Sequence, residues 1–139
     1  MSEPRVYLFA CVHNAGRSQM AAGWFGLLAD GTRARAISAG TRPAARVHPE
    51  VVEAMREVGV DLAGATPQKL TAELAKQATL LVTMGCGEDC PVVPGLARED
   101  WPLPDPAGLP LARVREIREQ VRARVQALVE REGVVASRG

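Results

Sequence analysis

Aromatic residues are scarce in this chain: two Trp, two Phe and one Tyr among 139 residues. None stands between Phe25 and Trp101, and the one tyrosine, Tyr7, falls inside an apolar run. A cleft that grips a large planar substrate draws on aromatic walls, and there is little here to build one. Excess charge is also missing. Seventeen basic residues face 16 acidic ones, a net charge of +1. That excludes a general nucleic-acid or membrane-surface binder driven by charge. The longest unbroken apolar run, Val6 to Val12, is far too short for a membrane span. The opening Met-Ser-Glu-Pro-Arg has no basic flank leading into a signal-peptide core, so the expectation is a soluble cytoplasmic protein. Three cysteines do not suit a disulfide scaffold. In a reducing compartment such cysteines are structural, metal-binding or redox-active.

There is no repeat, low-complexity tract or linker, and the length is that of one domain, taken as residues 1–139. With 47% apolar residues the chain can bury a core without disulfides or a structural metal, and disorder is excluded. Arg5 to Ala10 predicts a strand buried on both faces of a parallel sheet. A helix follows, with Met20, Trp24, Leu27 and Leu28 at helical spacing and Ser18 as its cap. A strand is expected over Arg35–Ala39, helices over His48–Val58 and Thr71–Ala78, and a strand over Leu80–Met84. Trp101–Leu103 reads as a short strand that Pro102 and Pro104 confine to an edge. The last helix runs from about Pro110 to Arg131, with Leu111, Val114, Ile117, Val121, Val125 and Leu128 as its inward stripe. The arginines interleaved there (113, 115, 118, 122 and 124) read as a solvated face. Alternating strands and helices predict an α/β fold with a parallel sheet and right-handed crossovers. Ligands bind such sheets beyond the carboxyl ends of the strands, where loops 11–17, 85–95 and 104–108 should meet.

The strongest signal is Cys11, five residues, then Arg17 and Ser18, set between a buried strand and a helix. Amides of a tight loop before a helix cradle an oxyanion, and the helix dipole adds positive potential. Arg17 can hold two oxygens of a tetrahedral anion. Val12, His13, Asn14, Ala15 and Gly16 supply the cradle between them. Cys11 lies at its floor, where amides, dipole and Arg17 favour the thiolate. Ser18 can hydrogen-bond that sulfur. Gly16 permits a positive φ or a close approach to the anion, and Asn14 can hold the loop's shape. The loop lacks the Gly-Lys-Ser/Thr ending of a Walker A motif and the three glycines of a dinucleotide fingerprint. Asp105, in the stiff Leu-Pro-Asp-Pro-Ala-Gly loop, is the candidate acid for a leaving oxygen. By itself it would read as an ordinary turn aspartate.

Taken together, these residues resemble the arsenate reductases related to low-molecular-weight protein tyrosine phosphatases. The matches are Cys-Val-His-Asn-Ala-Gly-Arg-Ser-Gln-Met-Ala at 11–21, Ile-Ser-Ala-Gly at 37–40, Val-Thr-Met-Gly-Cys at 82–86, Cys-Pro at 90–91 and Trp with Asp-Pro-Ala-Gly at 101–108. The resemblance implies a three-layer sandwich around a four-stranded parallel sheet. It also implies a mechanism. Cys11 attacks arsenate, Arg17 and the amides hold the oxyanion, Ser18 stabilises the thiolate, and Asp105 protonates the leaving oxygen. A second thiol then resolves the adduct and arsenite leaves. Cys86 is implied as that thiol, with Cys90 attacking Cys86 in turn. The competing reading makes one or both of them structural, and the relay is the favoured reading, more so for Cys86 than for Cys90. No tightly bound cofactor is implied, only an external reductant: thioredoxin, or mycothiol with a mycoredoxin. Some members bind potassium through a Glu and an Asp. Those places read Ala22 and Gln68 here, so no tight potassium site is expected, nor any other metal.

Two other readings compete. A phosphatase for phosphotyrosine would use Cys11, Arg17, Ser18 and Asp105 with water as the second nucleophile, but the aromatic walls are wanting. Residual phosphatase activity is still expected, because arsenate and phosphate share shape and charge. A zinc- or metalloid-binding module would use Cys86 and Cys90 with Cys11 or His13. Arg42 and Arg46 follow the second strand, and their reach toward the anion loop is left open.

Overall fold

The computed structural model describes residues 4–85 and 93–136. Strand β1 (Arg5–Cys11) forms the centre of the molecule, and every one of its residues from Val6 to Cys11 is buried. Burial on both faces is why its sequence reads as a continuous apolar run rather than an alternating one. Strand β2 (Ala34–Gly40) lies on one side of it, β3 (Leu80–Thr83) on the other, and β4 (Ala97–Asp100) forms the far edge. The order is β2-β1-β3-β4 and every pairing is parallel. The register aligns Cys11 with Gly40, Ala10 with Thr83, and Thr83 with Asp100. The carboxyl ends of all four strands therefore open on the same edge.

Helices cover both faces. Tyr7, Phe9, Cys11, Val82 and Met84 face one core, shared with α1 (Arg17–Leu28), α2 (Pro49–Arg56) and α4 (Leu111–Arg131). Leu8, Ala10, Ala39 and Leu81 face a smaller core, closed by Leu70 and by Ala75 of the short α3 (Ala72–Ala75). This alternation along β1 is the two-residue period of a strand. The expected three-layer α/β fold is thus present. On α4, Val114, Ile117, Val121, Val125 and Leu128 are buried as their spacing predicts, joined by Val129.

Several local expectations are corrected. The edge strand is Ala97–Asp100, not Trp101–Leu103. Pro102 has no N–H to give a ladder, whereas Arg98, Glu99 and Asp100 pair through their backbone and leave their side chains outside. Leu27 does not join the inward stripe, being 48% exposed. The helix expected over Thr71–Ala78 is a single turn, capped by Thr71 Oγ1 accepting from Leu74 N at 3.1 Å. The second helix is Pro49–Arg56, with His48 at its N-cap. Arg118 is not a solvated residue: it donates to Ala54 O at 2.9 Å and to Glu57 Oε1 at 2.8 Å. Ser18 is not a cap. It lies inside α1, and Gly16 takes the cap position.

Candidate active site

The loop between β1 and α1 is held by its carbonyls. Cys11 O accepts from Thr41 N, Val12 O from Arg42 N, His13 O from Ala44 N and Ala15 O from His48 N. Asn14 O accepts from Gln19 Nε2 at 3.1 Å, and Gly16 O from Met20 N at 2.9 Å. Six consecutive carbonyls, Cys11 to Gly16, are thus engaged. None of the amides of residues 12–18 donates to an acceptor among the described residues. Such a loop turns its donors inward beside a helix N-terminus, the arrangement that binds oxyanions.

Asn14 makes the turn. It is buried with φ at 50°, a left-handed conformation that asparagine tolerates better than other non-glycine residues. Its Oδ1 accepts from Gln68 N at 3.0 Å and from Gln19 Nε2 at 3.2 Å, so its Nδ2 must face Ser18, to which it donates at 2.7 Å. With that lone pair filled, the Ser18 hydroxyl keeps its proton for Cys11 Sγ, 2.9 Å away. The chain of donors ends on the Cys11 sulfur.

Arg17 is 8% exposed. Its Nη1 donates to Leu103 O at 3.2 Å and its Nη2 stands 3.6 Å from Asp105 Oδ2. Its buried Nε has no acceptor among the described residues. A buried guanidinium donor without a partner is costly unless something anionic meets it. Asp105 has a side chain 46% exposed, and its Oδ1 accepts from Ala107 N at 3.0 Å. The Asp105 loop is seated by Pro106. A Cβ on Gly16 would lie 2.6 Å from Pro106 Cγ, so the glycine admits that loop; of its two expected uses, the positive φ is absent, its own φ being −141°.

The structure thus brings Cys11, Asn14, Arg17, Ser18 and Asp105 to one sheet edge, as the sequence predicted. Val12, His13, Ala15 and Gly16 form the same loop, with His13 exposed. Cys86 and Cys90 lie outside the described residues, and with them the relay and the metal-module reading. Gln68, read above only as an interrupted cation ligand, gives its backbone N–H to Asn14 and its side-chain amide to Ser38 O at 2.9 Å. Sequence reasoning missed Gln19, Gly40, His48 and Pro106. Gly40 was the findable one: it stands in register with Cys11, where a Cβ would lie 2.6 Å from Val12 O. Arg46 lines a shallow groove with Val47, Pro49, Val52 and Leu62, beside the loop and not within it.

Residues 6–134 match the model of the low molecular weight phosphotyrosine protein phosphatases. The chain belongs to that family. Within it, the chain is 33% identical over 134 residues to arsenate reductase 2 of Staphylococcus haemolyticus, covering 94% of this chain and all of that one. Among solved structures, a thioredoxin-dependent arsenate reductase of Corynebacterium glutamicum superposes with a TM-score of 0.81 at 38% identity. That match covers 93% of this chain, and this chain spans 62% of the length of that one. An arsenate reductase of Archaeoglobus fulgidus superposes with a TM-score of 0.77 at 29% identity, covering 89% of this chain and 98% of that one. The family's fold and the arsenate-reductase resemblance are both as the motifs implied.

Proposed function

We propose that the protein reduces arsenate to arsenite. The observation that carries this reading is the Cys11 sulfur held on Ser18 at the floor of a loop whose carbonyls are all engaged while its amides have no acceptor among the described residues. The oxyanion is received by the amides of residues 12–17 and by Arg17. Cys11 thiolate attacks arsenic, and an oxygen protonated by Asp105 leaves as water. The adduct is a sulfur–arsenic(V) bond. A second thiolate then attacks Cys11 sulfur, the sulfur–arsenic electron pair stays on arsenic, and arsenite departs. Two thiols are oxidised to a disulfide and arsenic gains two electrons. Cys86 is our assignment for the second thiol. Cys90 then attacks Cys86 and frees Cys11, and an external thiol reductant returns the cysteines to thiols. That reductant is thioredoxin, as named for the Corynebacterium relative, or mycothiol with a mycoredoxin. We read residues 1–139 as one domain that works in the reducing cytoplasm, where three free thiols persist. No helix among the described residues is long and apolar enough to cross a membrane.

The phosphotyrosine reading is weaker for a physical reason. All five aromatic side chains are buried: Tyr7, Phe9, Phe25 and Trp101 at 1% exposure or less, and Trp24 at 4%. None stands as a wall beside the anion loop, so the site suits a small inorganic anion. Slow hydrolysis of phosphate esters remains an expected side activity.

The deciding experiment gives pre-reduced protein arsenate without any external reductant, then measures arsenite and maps disulfides by mass spectrometry. About one arsenite per chain with a Cys86–Cys90 disulfide supports the three-cysteine relay. Arsenite only after an external thiol is added removes the relay and keeps Cys11 as the nucleophile. Full activity in Cys11→Ser would sink the mechanism.

A further inference from the structure

We infer that Gly85 is a positioning residue for Arg17, fixing the guanidinium in the place from which it meets an oxyanion. The inference rests on the oxyanion reading of the loop and deepens it. Gly85 directly follows the carboxyl end of β3 and Met84, which is held by Met84 N donating to Ala10 O at 2.7 Å. It has φ at +89°, and a Cβ built on it would overlap Arg17 Nη1 and lie 3.2 Å from Cζ. The backbone at Gly85 therefore lies directly against the guanidinium. Leu103 O and Asp105 hold the same group through Nη1 and Nη2. Three contacts from two strand ends define one position for a side chain that has four rotatable bonds. The Nε that has no acceptor among the described residues is the donor left over.

A side chain at Gly85 has two separable consequences. One is backbone strain, since a positive φ is unfavourable for any residue with a Cβ. The other is displacement of Arg17. The overlapping atom is the end of a flexible side chain, so the fold can survive by moving the guanidinium and losing its aim. Gly95 separates the two effects. Its φ is +82°, nearly the same, but a Cβ there meets nothing within 4 Å among the described residues. Gly95→Ala carries the strain without the displacement.

The test is calorimetric titration of reduced wild-type, Gly85→Ala and Gly95→Ala proteins with inorganic phosphate, with melting temperatures measured alongside. The two variants should melt at similar temperatures. Gly85→Ala should bind phosphate roughly tenfold or more weakly than Gly95→Ala, the scale of losing a hydrogen bond to a charged group. Gly85→Asn covers the case in which the alanine variant fails to fold: asparagine tolerates positive φ but still brings a Cβ onto Arg17, and should show the same loss. Equal phosphate affinity in the Gly85 and Gly95 variants overturns the positioning role. A wild-type protein that does not bind phosphate overturns the oxyanion reading itself, and the inference with it. The wild-type affinity thus judges the loop and the ratio between variants judges Gly85.

Discussion

Asn14 carries more of the site than its place in a five-residue gap suggests. Its left-handed backbone, its two accepted bonds and its one donated bond all serve to point Nδ2 at Ser18. Asn14→Ala removes all three bonds and leaves a Cβ at positive φ, a loss of about 2–4 kcal/mol by the usual scale of buried hydrogen bonds and strain. We expect Cys11 to react more slowly with iodoacetamide at neutral pH in this variant, followed on the Cys11 peptide by mass spectrometry. Ser18→Ala should slow the same reaction while leaving the melting temperature closer to wild type, because the loop keeps its Asn14 clamps. An unchanged Cys11 rate in both would mean that the donor chain does not act on the sulfur. Tyr7 offers a second reading at this scale. Burial raises its titration to about 12, helped by the hydrogen bond to Glu132 at 2.8 Å and by that carboxylate's charge. It is the only tyrosine, so phenolate absorbance reports it alone. Its midpoint should lie near 12 in folded protein and return toward the ordinary value of about 10 in denaturant. The sign is that of a raised acid. The stability it confers is complete below about pH 10 and is lost as pH rises through 12.

Among the elements, legibility followed burial pattern. β1 and α4 could be read because their apolar residues meet a core, one on two faces and the other along one stripe. β4 could not, because Ala97–Asp100 sits at the sheet edge with every side chain exposed or nearly so, and its place in the sheet rests on backbone pairing. An exposed edge strand carries no apolar period to detect. Ser18 was read both as a helix cap and as a partner of the Cys11 sulfur, and only the second holds. A serine at a helix start is read as a cap, and sequence does not say whether its hydroxyl turns to an amide or to a sulfur. The site's charged and nucleophilic residues were legible in the loop motif. The groups that hold them, Gln19, Gly40, Gln68 and Pro106, come from β2, α1 and loops distant in sequence, and only the register brings them together. The helix stripe makes a direct prediction. Ile117 is fully buried, so Ile117→Ala should lower stability by about 2–5 kcal/mol in urea unfolding. Leu27→Ala, on the exposed side of α1, should change it by no more than about 0.5 kcal/mol.

For the molecule as a whole, α4 is the clasp that ties α1 and α2 together and reaches the sheet at β4. Its arginines reach outward to other elements. Arg131 pairs with Glu99 of β4 at 2.7 Å, Trp24 Nε1 of α1 donates to Arg118 O at 3.1 Å, and the Arg122 guanidinium lies 5.6 Å from the Trp24 ring centroid. The densest junction is at the end of α2. Arg115 Nη2 and Arg118 Nη1, one turn apart on α4, meet the Glu57 carboxylate at 2.6 and 2.8 Å. Arg118 also occupies the carbonyl of Ala54, one of the groups a helix end leaves without a partner. The hydrogen bonds from Arg115 and then Arg118 hold Glu57 down at about 2, against an ordinary 4.5. A carboxylate with a depressed value adds stability that is complete above about pH 4.5 and is lost as pH falls toward 2. Melting temperatures of wild type and Glu57→Gln, measured from pH 7 down to pH 2, should therefore differ most at neutral pH and converge below about pH 3. The pair is open to solvent, so the neutral-pH difference should also shrink in 0.5 M salt, where the screening length is only about 4 Å. Other acid-labile pairs, Arg131 with Glu99 among them, are common to both proteins and cancel in the difference. A gap that stays constant with pH would show that Glu57 acts through packing alone. Convergence would mean that the Glu57 carboxylate acts through its charge, in the pairs that tie the end of α2 to α4.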